Sequence, residues 1–311
     1  KGGEDIFYFQ PGMRYYTSIF KIIFGETNFG YVFLVSFFPY LIFLLFNKIT
    51  NKKIAYTLYF LFVFFPIFES IGFGHFNYVR QAVRLHAESL SIMLLILSIY
   101  IFFIEEDKNI KSNTYLILVA LLFSQAIFLR PNFLPTCFIL SIYLIYSNML
   151  NNNIISKNLL YVFFFTPTLF CLIHNLYFGN EFVFFSSASI HILLTKNFAS
   201  LNFTEANNFF QLILIQLKDW NDLVYFPRLI ILFYVIFHIR NYSIKELLFY
   251  LIICCIMQHI VLLLTHASSR YAYFAWLLTF ILFIKISYDN NHLNKISKFF
   301  KIKKLYTRKN R

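Results

Sequence analysis

Residues 88–105, ESLSIMLLILSIYIFFIE, decide the fold class of this chain. Charged side chains stand only at the two ends of this stretch, at Glu88 and Glu105, and most residues between them are large and apolar. About 20 apolar residues are needed to cross the hydrocarbon core of a bilayer. A helix that is apolar on every side has no polar face to turn toward water. The stretch therefore predicts a membrane-spanning helix rather than a buried helix of a soluble protein.

Runs of similar length recur along the whole chain, and the composition agrees with them. Of the 311 residues, 59% are hydrophobic and only 13% are charged, which excludes an ordinary soluble domain, where about 25% are charged. The 44 Phe and 22 Tyr residues exclude a disordered chain. We expect an all-α polytopic membrane protein with about nine transmembrane helices and interfacial amphipathic helices on the outer face. The predicted spans are residues 28–47, 55–74, 88–105, 113–129, 133–149, 158–177, 224–240, 245–264 and 270–287.

The sequence predicts one domain followed by a short tail. Residues 1–290 are expected to form a single transmembrane domain with outer loops at 1–27 and 178–223, and residues 291–311 a basic cytoplasmic tail. Because the chain enters a polar segment directly at Lys1, we expect a further membrane helix upstream. The cysteines lie in apolar runs and are interpreted as small hydrophobic residues rather than a disulfide framework. They are Cys137, Cys171, Cys254 and Cys255.

Lysine and arginine in the short loops predict the orientation, since these residues accumulate on the cytoplasmic side. Lysines follow the first, third and fifth predicted spans, and eight Lys and Arg residues lie in the tail after Lys285. This orientation places the N-terminus and the 178–223 loop on the outer face. The net charge of +13 is then explained by a cytoplasmic face attracted to anionic lipid, and nucleic-acid binding is not expected.

The two faces differ in which cation they carry. The predicted cytoplasmic side has 14 Lys and 3 Arg, whereas the outer side has 4 Lys and 6 Arg. A guanidinium binds phosphate or carboxylate through two parallel hydrogen bonds, which an ammonium cannot do. The arginine set therefore favours an anionic ligand on the outer face, although any single arginine could also pair locally. The outer arginines are Arg14, Arg80, Arg84, Arg130, Arg228 and Arg270.

The N-terminal segment, residues 2–26, reads GGEDIFYFQPGMRYYTSIFKIIFGE. Apolar residues recur every three to four positions after Pro11, which predicts an interfacial amphipathic helix that ends at Gly25. Such a helix would hold Glu4, Asp5 and Arg14 at the water boundary. Paired carboxylates can bind a divalent cation or deprotonate an acceptor hydroxyl, and a solvated loop with incidental acids is the alternative.

Three further outer turns carry candidate residues. In residues 69–90, ESIGFGHFNYVRQAVRLHAESL, the spacing of four predicts that Arg80, Arg84 and Glu88 share one face of the helix entering the third span, as a ligand site or as a structural ladder. In residues 128–135, FLRPNFLP, two roles are predicted equally for Arg130, ligand binding and capping of a helix. In residues 265–276, THASSRYAYFAW, small residues leave room beside His266, Arg270 and Tyr271.

The 178–223 loop is expected to contain a second interfacial helix over residues 205–218, with Thr204 as its N-cap. Spacings typical of a metal site, a phosphate loop, a dinucleotide fingerprint or a nucleophile elbow are missing from the sequence. An internal repeat of the transporter kind is missing too.

The order of these motifs resembles the GT-C superfamily of integral-membrane glycosyltransferases. The resemblance rests on the acidic pair, QPGMRYYTSIFKIIFGE, RLHAE, LRPN and the late RY pair, and it runs over most of the chain. It implies that residues 1–290 form a GT-C-like domain in a bacterial inner membrane, acting on the periplasmic face. The donor would be a polyprenyl-phosphate sugar, and the acceptor a glycan, a lipid or a protein of the cell envelope.

The resemblance also implies roles for residues. Glu4 and Asp5 would be the catalytic acids and the ligands of a divalent cation, Mg²⁺ or Mn²⁺. The donor-phosphate and substrate residues would be Arg270, Tyr271, Arg80, Arg84, Arg14, His266, Glu88 and Arg130. Superfamily members have a helix before the acidic loop, so the principal catalytic Asp can also lie upstream of Lys1, with Asp5 in a supporting role.

Two other interpretations stay open. Membrane polymerases of surface polysaccharide show a turn similar to Arg80-Gln81 and a late outer arginine, and they act on a polyprenyl-diphosphate glycan without a metal. A flippase or transporter of lipid-linked sugar would place charges along the middle of several spans and show repeats. In this sequence, the ionisable residues gather instead at one predicted face.

Overall fold

The structure is a computed structural model, and it describes residues 11–65, 74–106, 112–149, 154–179, 182, 226–264 and 269–290. These residues are almost entirely helical, and no strand occurs among them. In the first half, the helices are α1 (Pro11–Phe24), α2 (Phe29–Val35), α3 (Phe38–Ile49), α4 (Lys52–Phe64), α5 (His75–Val83), α6 (Ala87–Glu105) and α7 (Asn113–Leu129). In the second half, they are α8 (Leu134–Met149), α9 (Ile154–Phe165), α10 (Phe170–Gly179), α11 (Phe226–Phe237), α12 (Leu247–Leu264) and α13 (Ser269–Asp289).

Among the residues that the structure describes, four helical segments are long and apolar enough to cross a membrane. They are Phe29–Ile49, Ala87–Glu105, Asn158–Phe178 and Ala272–Asp289. Shorter apolar helices cover Asn113–Leu129, Pro131–Ser147 and Leu247–Leu262. A helix overlaps each of the nine predicted segments, so the prediction of an all-α fold is confirmed for the described residues. Four of these segments meet the length and hydropathy that a membrane span requires.

The segment predicted as a span over residues 158–177 is not one continuous α-helix. A 3₁₀ turn, Thr166–Leu169, separates α9 from α10. Pro167 lies in this turn, and its ring removes a backbone donor and collides with the carbonyl four residues earlier.

Large apolar side chains cover the outside of the bundle at helical spacing. Phe29, Phe33 and Phe37 form one exposed row, and Tyr56, Phe60 and Phe64 form another. Tyr177 is 79% exposed although it lies in an apolar helix. A water-facing surface rarely carries such continuous apolar rows, so these rows favour contact with lipid.

The interior is packed around α6 and α7. Helix α6 packs against α3 and α7, helix α8 packs against α12, and α13 packs against α11, α12 and α3. The four cysteines are buried and unbridged, as the apolar runs predict. Ser91 Oγ donates to the Ala126 carbonyl (2.8 Å), which satisfies one hydroxyl inside the α6–α7 contact.

Contacts between distant segments gather the described parts of the predicted outer turns at one end of the bundle. Tyr273 near the start of α13 donates to the Gly74 carbonyl before α5 (3.3 Å). Gln258 in α12 donates to the Asn132 carbonyl after α7 (3.4 Å). We call this end, with the beginnings of α1, α5, α6 and α13 and the end of α7, the site end.

Candidate functional site

Helix α1 is anchored at the site end by a close backbone approach. A Cβ atom on Gly12 would lie 2.9 Å from the Leu129 Cα, so only glycine allows this contact with the end of α7. The helix ends where the sequence predicts, at Gly25, whose φ of 78° is accessible to glycine without strain. The acidic segment before Pro11 is therefore joined to a helix fixed beside Arg130.

Two tyrosines of α1 bind the bundle through their hydroxyl groups. Tyr15 lies 3.0 Å from His174 Nδ1 in α10, and Tyr16 donates to Gln125 Oε1 in α7 (2.9 Å). Arg14 is exposed and is an electrostatic neighbour of His174. Ile22 and Ile23 are exposed, so α1 has a packed face, an exposed apolar face and a polar edge.

A buried ion pair joins α6 to α7. Glu88, in the first turn of α6, is bound to Arg130, the C-cap residue of α7, and their side chains are 1% and 7% exposed. The partial charges of helix ends favour an anion at the beginning of a helix and a cation at its end. Both partners therefore occupy the helix ends that stabilise their charges.

The turn between α5 and α6 corrects one sequence interpretation. Arg80, Arg84 and Glu88 do not share one helix face, because α5 ends at Val83 and α6 begins at Ala87. The break is a left-handed C-cap in which Leu85 N donates to the Ala82 carbonyl (2.9 Å) and His86 N to the Gln81 carbonyl (3.1 Å). Arg80 in α5 and Arg84 at its C-cap are exposed, and Glu88 is bound instead in the ion pair.

Leu85 adopts a φ of 56°, in the region that usually belongs to glycine. Its side chain packs against the core, so a Leu85→Gly variant loses packing and gains backbone freedom. Comparison with Leu85→Ala isolates the backbone contribution, because both variants lack most of the side chain. We expect the Gly variant to be more stable than the Ala variant by about 1 kcal/mol in thermal unfolding. Equal stabilities would contradict a strained turn.

Three tyrosine hydroxyls connect the elements around the ion pair. Tyr31 donates to the His86 carbonyl (2.6 Å), Tyr78 to the Ser89 carbonyl (3.0 Å), and Tyr273 to Gly74 as described above. Burial raises the pKa of Tyr78, so its hydroxyl remains a donor. The ring of Tyr78 stacks on Phe38 with centroids 3.8 Å apart. These bonds fix the beginning of α6 and hence Glu88.

Sequence reasoning missed a second buried polar cluster. Arg228 in α11 lies over the Trp276 ring (5.4 Å to the centroid), and His259 meets the same ring edge-on at 4.5 Å. Thr279 donates to the Ala275 carbonyl (2.7 Å), so its oxygen accepts from His259 Nε2 at 2.9 Å. The available signal was the occurrence of His259 inside an apolar run, since intramembrane ionisable residues are seldom incidental.

Three buried side-chain polar atoms near the site end have no hydrogen-bond partner among the residues that the structure describes. They are Gln81 Oε1, His75 Nδ1 and Asn132 Oδ1. Burial lowers the pKa of His75, so its ring is neutral at pH 7. Most buried polar atoms in proteins are hydrogen-bonded, so these three atoms are unusual and indicate a role other than stabilising the fold.

The structure describes the remaining predicted site residues only in part or not at all. Arg270 and Tyr271 occupy the second and third positions of α13, at the site end, but the structure does not describe their side chains. Glu4, Asp5, His266 and the helix predicted over 205–218 lie outside the described residues.

Comparison with known proteins adds no family. The chain matches no protein-family model, no curated protein and no solved structure.

The described part of the site can bind anions and hydroxyl groups. It offers the exposed guanidinium groups of Arg14, Arg80 and Arg84 together with buried carbonyl acceptors. Among the described residues, no group of three or more His, Cys, Asp or Glu side chains could hold a metal ion. The expected metal ligands, Glu4 and Asp5, lie outside that set.

Proposed function

We propose that this protein is a membrane glycosyltransferase that transfers a sugar from a polyprenyl-phosphate donor to a cell-envelope acceptor on the outer face. The chain would cross the inner membrane nine times, with α1 and α5 at the outer interface. The observation that carries the proposal is the convergence of separate turns at the site end, which carries exposed arginines and the buried Glu88–Arg130 pair.

The arginines supply the first requirement of this reaction, which is recognition of the donor phosphate. Arg14 lies in α1, Arg80 lies in α5, Arg84 is the C-cap residue of α5, and Arg270 is the second residue of α13. These three helices have contacts at the site end, where α1 packs on the end of α7 and α13 donates a hydrogen bond to the residue before α5. A guanidinium also stabilises the negative charge that grows on the leaving phosphate.

The acids before α1 supply the second requirement, activation of the acceptor hydroxyl. Asp5 precedes Pro11 by six residues, so covalent geometry keeps it within about 20 Å of the anchored end of α1. In our proposal, Asp5 takes the proton of the acceptor hydroxyl and Glu4 assists it. A divalent cation, if the enzyme uses one, would be held by Glu4 and Asp5 and would polarise the donor phosphate.

Glu88 and Arg130 have a different role in this proposal. Both are buried and bound to each other, so they position the beginning of α6 and the end of α7. We assign them as positioning residues rather than as groups that contact substrate.

The proposed orientation is tested by labelling of single cysteines with an impermeant reagent. A cysteine at Ser187 is expected to react from outside the cell, and one at Ser297 only after the membrane is opened, because lysine-rich segments stay in the cytoplasm. The native cysteines are replaced first. The reverse labelling pattern would place the whole site in the wrong compartment.

Bidentate phosphate recognition is tested by Arg270→Lys, which keeps the charge but loses the planar pair of donors. We expect the apparent affinity for polyprenyl-phosphate sugar to fall by roughly tenfold, the loss of one charge-assisted hydrogen bond. Lys21→Arg is the matched control, since Lys21 already pairs with Glu26 on the exposed side of α1. An Arg270→Lys enzyme with unchanged donor affinity would exclude this role.

A polysaccharide polymerase is the second candidate. The exposed Arg80 next to the buried Gln81 favours it, because the polymerases resemble this chain at that dipeptide. The two candidates differ in their need for carboxylates. Activity that depends on the arginines and survives loss of both Glu4 and Asp5 would support the polymerase.

A further inference from the structure

Gln81 is a buried amide on the packed face of α5. Its side chain belongs to a residue that is 8% exposed, and Oε1 has no hydrogen-bond donor among the described residues. A buried carbonyl that has left water without gaining a donor destabilises the folded protein. Leucine or methionine would fit the same face without this penalty, so the amide needs another reason.

The neighbours of Gln81 do not supply the missing donor. Tyr78, one turn earlier, donates its hydroxyl to the Ser89 carbonyl (3.0 Å). The Gln81 backbone carbonyl already accepts from His86 N (3.1 Å), and this bond holds Gln81 against the left-handed turn at Leu85. The backbone of Gln81 is therefore held in place, while its side-chain oxygen has no hydrogen-bond partner among the described residues.

The surroundings indicate what kind of ligand could supply the donor. Arg80 precedes Gln81 and Arg84, the C-cap residue of the same short helix, follows it by three residues, and both arginines are exposed. Two guanidinium groups disfavour a cationic ligand and favour an anionic one. A hydroxyl group on an anionic ligand satisfies a carbonyl acceptor, and a sugar phosphate carries both features.

We propose that Gln81 Oε1 accepts a hydrogen bond from a sugar hydroxyl of the bound substrate. Arg80 and Arg84 would face the charged part of the same head group. This inference rests on the proposed function and adds a specificity residue to it. In the ligand-free protein the oxygen is covered, so binding includes a rotation of the Gln81 side chain toward Arg84. The amide is retained at the expense of stability because it discriminates between substrates.

The test compares lipids that differ only in the sugar. Full-length protein in nanodiscs is titrated with polyprenyl phosphate and with polyprenyl phosphate carrying glucose, galactose, mannose or N-acetylglucosamine, and tryptophan fluorescence reports binding. We expect the wild type to bind one sugar-bearing lipid roughly tenfold more tightly than the bare lipid. Gln81→Met should reduce that preference to within about twofold and leave affinity for the bare lipid unchanged.

Two further variants keep the result interpretable. Ser124→Ala removes another fully buried oxygen without a described partner, from the middle of α7, and should leave the preference unchanged. Gln81→Asn withdraws the amide by one methylene and should lose the preference even if the Met variant folds poorly. Both Gln81 variants are compared at equal folded fraction.

The outcomes separate this inference from the proposed function. A wild type that prefers a sugar-bearing lipid, together with Gln81 variants that keep the preference, would overturn the inference alone. Equal wild-type binding of sugar-bearing and bare lipids would also overturn it and leave phosphate recognition intact. A wild type that binds none of these lipids would overturn the proposed function, and the inference would fall with it.

Discussion

Glu88→Gln is expected to lower the free energy of unfolding by about 3–5 kcal/mol, the range seen when one partner of a buried ion pair is removed. The physical reason is that the Arg130 guanidinium stays buried after its carboxylate partner is neutralised. Thermal unfolding in detergent measures the change. Arg130→Met should destabilise by a similar amount, because it leaves the Glu88 carboxylate in the same place.

The double variant Glu88→Gln/Arg130→Met separates a true pair from two independent effects. We expect it to be less destabilised than the sum of the single variants by about 2 kcal/mol, since neither remaining group is charged. The exposed pair Lys21–Glu26 is the matched control, with side chains 42% and 84% exposed. Glu26→Gln should change stability by less than about 1 kcal/mol. Additive single effects at Glu88 and Arg130 would contradict the positioning role.

Asp5→Asn is expected to slow the chemical step by about 10²–10⁴ while donor binding remains mostly intact. The amide keeps the size of the side chain but cannot accept the proton of the acceptor hydroxyl. Transfer and binding of a polyprenyl-phosphate sugar are measured side by side in reconstituted lipid.

Glu26→Gln serves here as the activity control, because it alters one carboxylate at the other end of α1. Its turnover should equal that of the wild type. An Asp5→Asn enzyme with full turnover would remove Asp5 from catalysis and move the assignment to another acid. Loss of donor binding together with turnover would indicate a structural role for Asp5.

The sequence was sufficient for the elements with strong local signals. Pro11 and Gly25 predicted the two ends of α1, because proline favours the first helical position and glycine the left-handed position after the last. The apolar runs predicted where helices lie, since burial and lipid exposure both require them. Pro167 could have predicted the 3₁₀ interruption between α9 and α10, but the apolar length of that run obscured it.

The site depended on information that no local pattern contains. Glu88 and Arg130 are 42 residues apart in the sequence and meet only because α6 packs antiparallel to α7. The break at Leu85 was missed because leucine is not a turn residue, and its left-handed conformation is imposed by the surrounding packing. The contact of Arg228 with Trp276 joins two helices that are distant in sequence, so neither residue alone indicated it.

The most direct test of the proposed function is donor turnover by the full-length protein. Proteoliposomes receive polyprenyl-phosphate sugar labelled in the sugar, together with membrane extract as the source of acceptor. The expected result is release of free polyprenyl phosphate and appearance of label in an acceptor, with Asp5→Asn reduced to at most about one hundredth of the wild-type rate. Intact labelled donor that merely moves between the leaflets, with no polyprenyl phosphate released, would contradict a glycosyltransferase and identify a flippase.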